Sequence, residues 1–244
     1  MNLYIYDSYL NKYGKTLNNV EIQIHKLNLN GRIVHAESIK NLDQIIKDEI
    51  NNGIRTIVAV GNNGTINKTL GSIVRSAEAG TLANIALGII PIGPNNSIAE
   101  TCGIKNEKMA GEILLARRVE KVNVAQANNY YFLSEAYIKA KGTKLNIKSF
   151  SIDSVENGEI RIINLLSSRS AQNIKSNPQD GLLDLYIYNN PKKQSFFSIN
   201  ELSLENPTQR LLLDNAIEID TPVKVSIIND KINLIVGKDR LFSI

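Results

Sequence analysis

The first half of the chain alternates between continuous apolar runs and segments whose apolar residues recur three and four apart. Residues 2–6 (NLYIY) and 32–36 (RIVHA) read as short strands, and 56–60 (TIVAV) is an unbroken β-branched run of the kind buried in parallel sheets. Residues 85–93 (IALGIIPIG) repeat that texture before a Gly-Pro-Asn turn. Helical patterns lie between. Ile39, Leu42, Ile45, Ile46 and Ile50 share one helical face, with Ser38 or Asn41 as cap and Gly53 as stop. Further helices are predicted over 66–75, 97–102 and 106–117. Residues 16–26 fit both periods: Val20, Ile22 and Ile24 alternate, whereas Leu17, Val20, Ile24 and Leu27 keep helical spacing. Strands alternating with helices predict a parallel α/β sheet.

Beyond about residue 118 the texture changes. Segments 119–125, 130–138, 145–152, 159–166, 182–188, 217–219 and 223–228 read as strands separated by Asn, Gly, Pro and Lys, with one helix expected over 206–213. This half is expected to form an antiparallel β-sandwich. The predicted architecture is therefore an N-terminal parallel-sheet α/β domain (1–117) followed by a β-sandwich domain (118–244), with a cleft between them. The C-terminal tail is free in this scheme to pack back on the first domain.

Composition narrows the functional classes. The chain has 244 residues, 43% hydrophobic and 21% charged, ordinary for a soluble globular protein with a real core. A net charge of +4 suits a phosphate-bearing ligand or an acidic lipid surface, and without a run of like charges it gives no reason to expect nucleic acid. Cys102 is the lone cysteine, so no intramolecular disulfide forms and a cytoplasmic setting is expected. The N-terminus lacks a signal pattern, and the most apolar stretch, 85–92, falls short of the roughly 20 residues that span a bilayer. Any membrane contact is expected to be peripheral.

Two strand-turn-helix units carry the candidate chemistry. In a parallel sheet both turns lie at carboxyl ends of strands, where ligands bind. In Gly61-Asn62-Asn63-Gly64-Thr65 the glycines permit close backbone approach, and the following helix presents amide donors and a positive dipole end suited to phosphate. The plainer reading is that any tight turn of this type favours Gly and Asn.

Four motifs, taken in order, resemble a known family. Gly61-Asn62-Asn63-Gly64-Thr65-Ile66-Asn67 resembles the G-G-D-G-T-x-N-E loop of diacylglycerol and sphingosine kinases, a loop shared in its first part with NAD kinases. Pro91-Ile92-Gly93-Pro94-Asn95-Asn96-Ser97-Ile98-Ala99 resembles the second loop, P-x-G-T-x-N-D-x-A. Residues 119–133 resemble the entry into the family's β domain, and 177–187 (NPQDGLLDLYI) its D-D-G-x-x-D strand, which favours the lipid-kinase branch. The resemblance implies ATP at Gly61, Asn62, Asn63, Gly64, Thr65, Asn67, Gly93 and Asn96, and Mg²⁺ at Asp180 and Asp184. It also puts Asp230 where the family carries a catalytic base, and implies phosphorylation of a lipid hydroxyl at a membrane surface. A homo-oligomer is compatible with it.

The departures share a chemical theme. Asn63 replaces the loop aspartate, Lys68 the glutamate that closes it, Pro94 and Ser97 the second loop's Thr and Asp, and Asn123 the Asp that opens the β domain. Of the late D-G-E turn only Asp230 persists, and Tyr6-Asp7-Ser8 stands where the family has its first Asn-Pro loop. After Ile138 a helical insertion of the lipid site is missing, which predicts an open acceptor site. Phosphoryl transfer relies on positioning, on Mg²⁺ held by carboxylates, and on a base for the hydroxyl proton. Nucleotide binding without appreciable transfer is the expectation. A non-catalytic nucleotide-, lipid- or partner-binding module is the alternative, and an NAD-kinase-type enzyme a second. The two glycine-rich turns are expected to face each other across a cleft.

Plainer readings accompany the remaining residues. Asp180-Gly181 could be a turn with Asp184 on a solvent face, and Asn229-Asp230 a hairpin turn. His25 and His35 lack metal-pair spacing. Cys102 reads as a small buried apolar residue, Tyr130, Tyr131 and Phe132 as strand core, and Arg117 and Arg118 as cations at a helix end.

Overall fold

The computed structural model describes residues 1–36, 39–78, 80–148, 150–166, 176–190 and 193–242. The chain divides into two compact units, one holding Met1–Val122 and Asp230–Leu241, the other Asn123–Asn229 and Phe242 onward.

The first unit runs β1 (Asn2–Asp7), a 3₁₀ segment (Ser8–Tyr13), α1 (Gly14–Lys26), β2 (Gly31–Ala36), α2 (Ile39–Asn51), β3 (Thr56–Gly61), α3 (Asn63–Ser76), β4 (Ala86–Pro91), α4 (Ser97–Thr101) and α5 (Glu107–Ala116). Its strands lie in the order β2-β1-β3-β4 and all pair in parallel. Every residue of β3 and β4 is buried, as unbroken apolar runs require of strands covered on both faces. Right-handed crossovers place α1 on one face and α2 and α3 on the other. The packing of α1 with α5 and of α2 with α3 agrees. The chain leaves β1 toward β2 and later returns past it to β3. That reversal opens a crevice between the carboxyl ends of β1 and β3, the usual place for a ligand in such sheets.

Residues 16–26, which fit both periods, fold as α1. Val20 is buried while Ile22 is 52% exposed, which an alternating strand would not produce. Gln23 Nε2 donates to the Lys108 carbonyl at 2.5 Å and ties α1 to the start of α5. The expected α2 cap, Ser38, lies outside the described residues, as does the side chain of Asn41.

The second unit holds β5 (Val119–Ala127, entering from the first unit), β6 (Tyr130–Phe132), β7 (Glu135–Lys139), β8 (Thr143–Ile147), β9 (Phe150–Ser154), β10 (Glu159–Ile163), β11 (Leu183–Asn190), β12 (Lys193–Ile199), β13 (Glu201–Glu205), β14 (Leu211–Leu213), β15 (Ile217–Ile219) and the first part of β16 (Val223–Ile235). One antiparallel layer has the order β12-β11-β10-β7-β14-β15. In the other, β13 pairs antiparallel with β16 and β8, and β8 with β9. Ile138, Ile160 and Leu185 of the first layer share a core with Leu145, Leu202 and Val225 of the second.

Several local expectations change. The helix over 206–213 does not form. Asn206 Oδ1 instead accepts the Thr208 and Gln209 amides in a turn, and Leu211–Leu213 pairs as a strand with β15 and β7. Segment 130–138 is two strands, and 145–152 is a hairpin turned at Lys148, whose φ is 44°. Of the tyrosine run only Phe132 is core; Tyr130 is 44% exposed. β12 was not foreseen because Gln194, Ser195 and the exposed Phe196 break any apolar pattern, and β13 was overlooked although its Leu202 and Leu204 alternate and are buried. After β7 the chain turns directly into β8, Thr143 N–H donating to the Ala140 carbonyl at 2.8 Å. Among the described residues no helix is long and apolar enough to cross a membrane.

Candidate functional site

Gly61 ends β3 with φ +152°, a backbone state that suits glycine. A Cβ there would also collide with the Thr65 hydroxyl and come within 2.7 Å of the Tyr9 hydroxyl. Asn62 caps α3, its side chain accepting the Thr65 amide at 3.3 Å. Asn63 has no exposed surface. Its Nδ2 donates to the Ser97 hydroxyl at 2.8 Å, its Oδ1 accepts the Ile98 amide at 3.2 Å, and its own amide donates to the Asn95 carbonyl at 2.9 Å. Asn96 Nδ2 donates to the Gly93 carbonyl at 2.5 Å.

The two turns thus share the carboxyl edge of β3 and β4, where Gly61 pairs with Pro91. They do not face each other across a cleft. They touch, because adjacent parallel strands carry them side by side and Asn63 sews them together. Gly61, Asn62, Asn63, Gly64, Thr65, Gly93 and Asn96 all gather there. Asn67 sits just inside α3, 3% exposed, and neither of its side-chain polar atoms has a partner.

Position 68 resolves as an ion pair. Lys68 Nζ lies 3.0 Å from the Asp7 carboxylate, which also accepts from the Thr65 hydroxyl at 3.4 Å. Asp7 ends β1, so a carboxylate does reach the edge, already matched by a cation. Sequence reasoning singled out Asp7 and Lys68 but not their pairing, and it missed Tyr9 and Tyr13. Tyr9 Oη accepts the Asn62 amide at 2.6 Å and donates to the Ile92 carbonyl at 3.0 Å. Burial, and to a lesser extent the Asp7 charge, push its phenol pKa up, so it stays a donor. Tyr13 stacks edge-on against Tyr9 and lies over Gly93. The available signal was two tyrosines four apart directly after the first strand.

Asp230 is not brought to this edge. It lies within β16, and its carboxylate accepts the Gly80 amide at 2.8 Å. β16 meets β4 at Asn233 opposite Ala86, the amino end of that strand. A strand length, roughly 20 Å, separates the two levels. Neither is it a hairpin turn, since β16 runs through without a break.

In the second unit, Gly181 turns the chain with φ +78°, and Asp180 Oδ1 accepts the Leu182 amide at 2.8 Å. Asp184 is not on a solvent face; it is 8% exposed and accepts the Ser198 hydroxyl at 3.2 Å. Burial raises its pKa, the Ser176 and Ser198 hydroxyls lower it, and the Asp180 charge raises it again. Among the described residues no group of three or more His, Cys, Asp or Glu could hold a metal. Asn123, buried, donates its amide to the Pro178 carbonyl at 2.7 Å and serves the turn through backbone rather than charge. Cys102 is fully buried, its thiol pushed up to about 12 by desolvation, which makes it inert.

The sequence profile of the family described as Diacylglycerol kinase catalytic domain matches residues 6–127, half of the chain. The chain belongs to that family. Two curated relatives, both named Probable lipid kinase YegS-like, are 27% identical: one from Alcanivorax borkumensis over 94 residues, 38% of this chain, and one from Enterobacter sp. (strain 638) over 122 residues, 48% of this chain. The matched stretches span only 30% and 40% of those relatives. A crystal structure of a diacylglycerol kinase from Bacillus anthracis superposes with a TM-score of 0.74 at 15% identity, covering 97% of both chains. An NAD kinase from Archaeoglobus fulgidus, crystallised with ATP, gives 0.57 at 12% identity, covering 98% of this chain and 95% of its own. These likenesses establish the fold, a mixed parallel sheet with helices followed by antiparallel strands.

Proposed function

We propose that this member of the diacylglycerol kinase family binds the phosphates of an adenine nucleotide at the β3–β4 edge and does not transfer them to a lipid. The observation that carries this reading is Asn63. It is fully buried and spends both polar atoms on Ser97 and Ile98, so it serves as a tie between loops. A neutral amide neither takes a proton from a hydroxyl nor offers Mg²⁺ the charged oxygen it prefers. The glycines, the cap at Asn62 and the start of a 14-residue helix retain the shape that cradles phosphate. Gly61, Asn62, Gly64, Thr65, Gly93 and Asn96 would hold ATP, with Asn63 fixing the loop from within. Mg²⁺, if used, would sit at Asp180 and Asp184, where it would relieve the repulsion between them; that is a binding role. Asp230 has no part in this reading. A peripheral lipid surface remains the natural partner of a mildly basic chain.

One observation favours a second reading, a working lipid kinase. Asp7 brings a carboxylate from another strand to Thr65 and Lys68. If it substitutes for the missing acid, wild type will phosphorylate lipid and Asp7→Asn will not. The test is a labelled-ATP assay on mixed lipid micelles with Mg²⁺, run beside a thermal melt with and without ATP. Ligand at about 100 times its dissociation constant adds roughly 2.7 kcal/mol, or about 5–10 °C for a chain of this size. A melt shift with no labelled lipid supports the proposal. Robust turnover by wild type overturns it.

A further inference from the structure

The segment that follows β1 occupies the donors a phosphate would use. The Asn62 amide goes to the Tyr9 hydroxyl at 2.6 Å, and the Lys68 ammonium goes to the Asp7 carboxylate at 3.0 Å. The Thr65 hydroxyl also reaches that carboxylate, at 3.4 Å. Amide, ammonium and hydroxyl are the donor set that binds phosphate oxygens elsewhere. Here each meets an oxygen of the chain's own residues 7 and 9. Those oxygens lie in the crevice between the carboxyl ends of β1 and β3, where the strand order reverses. Gly61 leaves room for this arrangement, since a Cβ there would come within 2.7 Å of Tyr9 Oη.

We propose that Asp7 and Tyr9 form an internal mimic of a phosphate group, and that a phosphate-bearing ligand enters only when the Ser8–Tyr13 segment moves out. The inference rests on the reading of this edge as a nucleotide-phosphate site. It adds that the site is closed by default and that its occupant is part of the chain. Two features fit a movable closure. The segment is a single short 3₁₀ stretch, whose hydrogen bonding is poorer than that of an α-helix. Its anchors are few and polar at the ligand end: Tyr9 on Asn62 and Ile92, and Tyr13 over Gly93. Leu10, next to Tyr9, is its buried apolar contact. Displacement would free the Asn62 amide held by Tyr9, while Asp7, fixed at the end of β1 opposite Ala36, stays in place and gives up Lys68 only in exchange for a phosphate oxygen. Burial raises the Tyr9 phenol pKa against the lowering hydrogen bonds of Thr65 and Asn62, so its hydroxyl stays a donor to Ile92.

The experiment measures binding of ATP and, separately, of inorganic pyrophosphate by calorimetry to the full chain and to Tyr9→Ala, Tyr9→Phe and Asp7→Asn. Tyr9→Ala and Asp7→Asn should bind ATP at least tenfold more tightly than wild type. Tyr9→Phe, which keeps the ring and its contact with Tyr13, should fall between. Equal gains with pyrophosphate assign the freed site to phosphate alone; a gain confined to ATP assigns it to a nucleotide. Hydrogen exchange on wild type supplies a readout that needs no variant: saturating ATP should speed exchange in residues 8–13. If wild type and the folded variants bind ATP with the same affinity, the mimic is wrong while the nucleotide reading stands. If none binds at millimolar ATP, both fall. Slower exchange over 8–13 on binding would mean that the segment clamps the ligand, and would also overturn the proposal.

Discussion

Two buried polar side chains perform the same mechanical task in the two units, and they differ in charge. Asn63, at the β3–α3 turn, ties its own loop to Ser97 and Ile98. Asp214, in the turn between β14 and β15, ties that turn to another segment by accepting the amides of Leu133, Ser134 and Glu135 at 2.8–2.9 Å. Both are essentially unexposed. The neutral one stands at the β3–α3 turn of the first unit, and the ionisable one at the β14–β15 turn of the second. Burial explains why each works: an amide both donates and accepts, matching a hydroxyl on one side and an amide on the other, whereas a carboxylate accepts only and suits three N–H groups. In both places the group fits the partners it meets: an amide between a hydroxyl and an N–H, a carboxyl group before three N–H donors.

The largest expected effect is at Asp214. Asp214→Ala strands two buried amides and one part-buried one and should cost about 3–5 kcal/mol, read as a loss of midpoint in urea unfolding followed by circular dichroism. An effect below about 1 kcal/mol would mean that water replaces the carboxylate, and the comparison would fail.

Asn63→Ala should come next, at about 2–4 kcal/mol, because it removes one donor and one acceptor and leaves the Ile98 amide and Ser97 hydroxyl buried. A thermal melt should fall by roughly 5–15 °C at about 2–4 °C per kcal/mol. Ser97→Ala should show a fraction of that loss. If Asn63→Asp proves as stable as wild type and gains lipid-kinase turnover, the missing charge was the only barrier to catalysis.

The charge difference predicts different pH behaviour. Burial outweighs the three amide donors and pushes the Asp214 carboxyl up from 3.8 to about 6. The folded state then holds a proton that the unfolded chain releases, so this group's contribution is full below about pH 4 and is lost as pH rises through 6. The loss should approach about 3 kcal/mol, at about 1.4 kcal/mol per pH unit. Unfolding midpoints of wild type minus those of Asp214→Asn, taken at pH 4, 5 and 7, should decline along that course. Asn63→Ala, which removes no titrating group, should leave the slope unchanged.

The smallest effect is expected at the acidic pair of the second unit. Asp184→Asn removes a half-compensated buried charge beside Asp180 and should raise stability at neutral pH by roughly 1 kcal/mol in buffer with chelator. Millimolar Mg²⁺ should then stabilise wild type and leave the variant unchanged. Stabilisation of both alike would show that the ion acts elsewhere.

The parallel sheet was legible because its buried strands are unbroken apolar runs, and the two turns because glycine and asparagine punctuate those runs at fixed spacing. The replacement of acids by Asn63 and Lys68 was legible too, being a matter of residue identity. What the sequence could not supply was pairing across distance. That Lys68 meets Asp7, that Asn63 is spent on Ser97, and that Tyr9 covers Asn62 depends on strand order, and strand order follows from crossovers rather than from any local pattern. The two strands within 130–139 and the hairpin at 143–154 were blurred for a related reason: antiparallel strands show only one buried face, so their apolar signal is weaker and a polar stretch such as 193–199 hides a strand. Local chemistry thus fixed which groups this protein has, and only the tertiary fold decided which of them face each other, because hydrogen bonds and ion pairs act over a few ångströms while the residues that make them lie up to 150 positions apart, as Gly80 and Asp230 do.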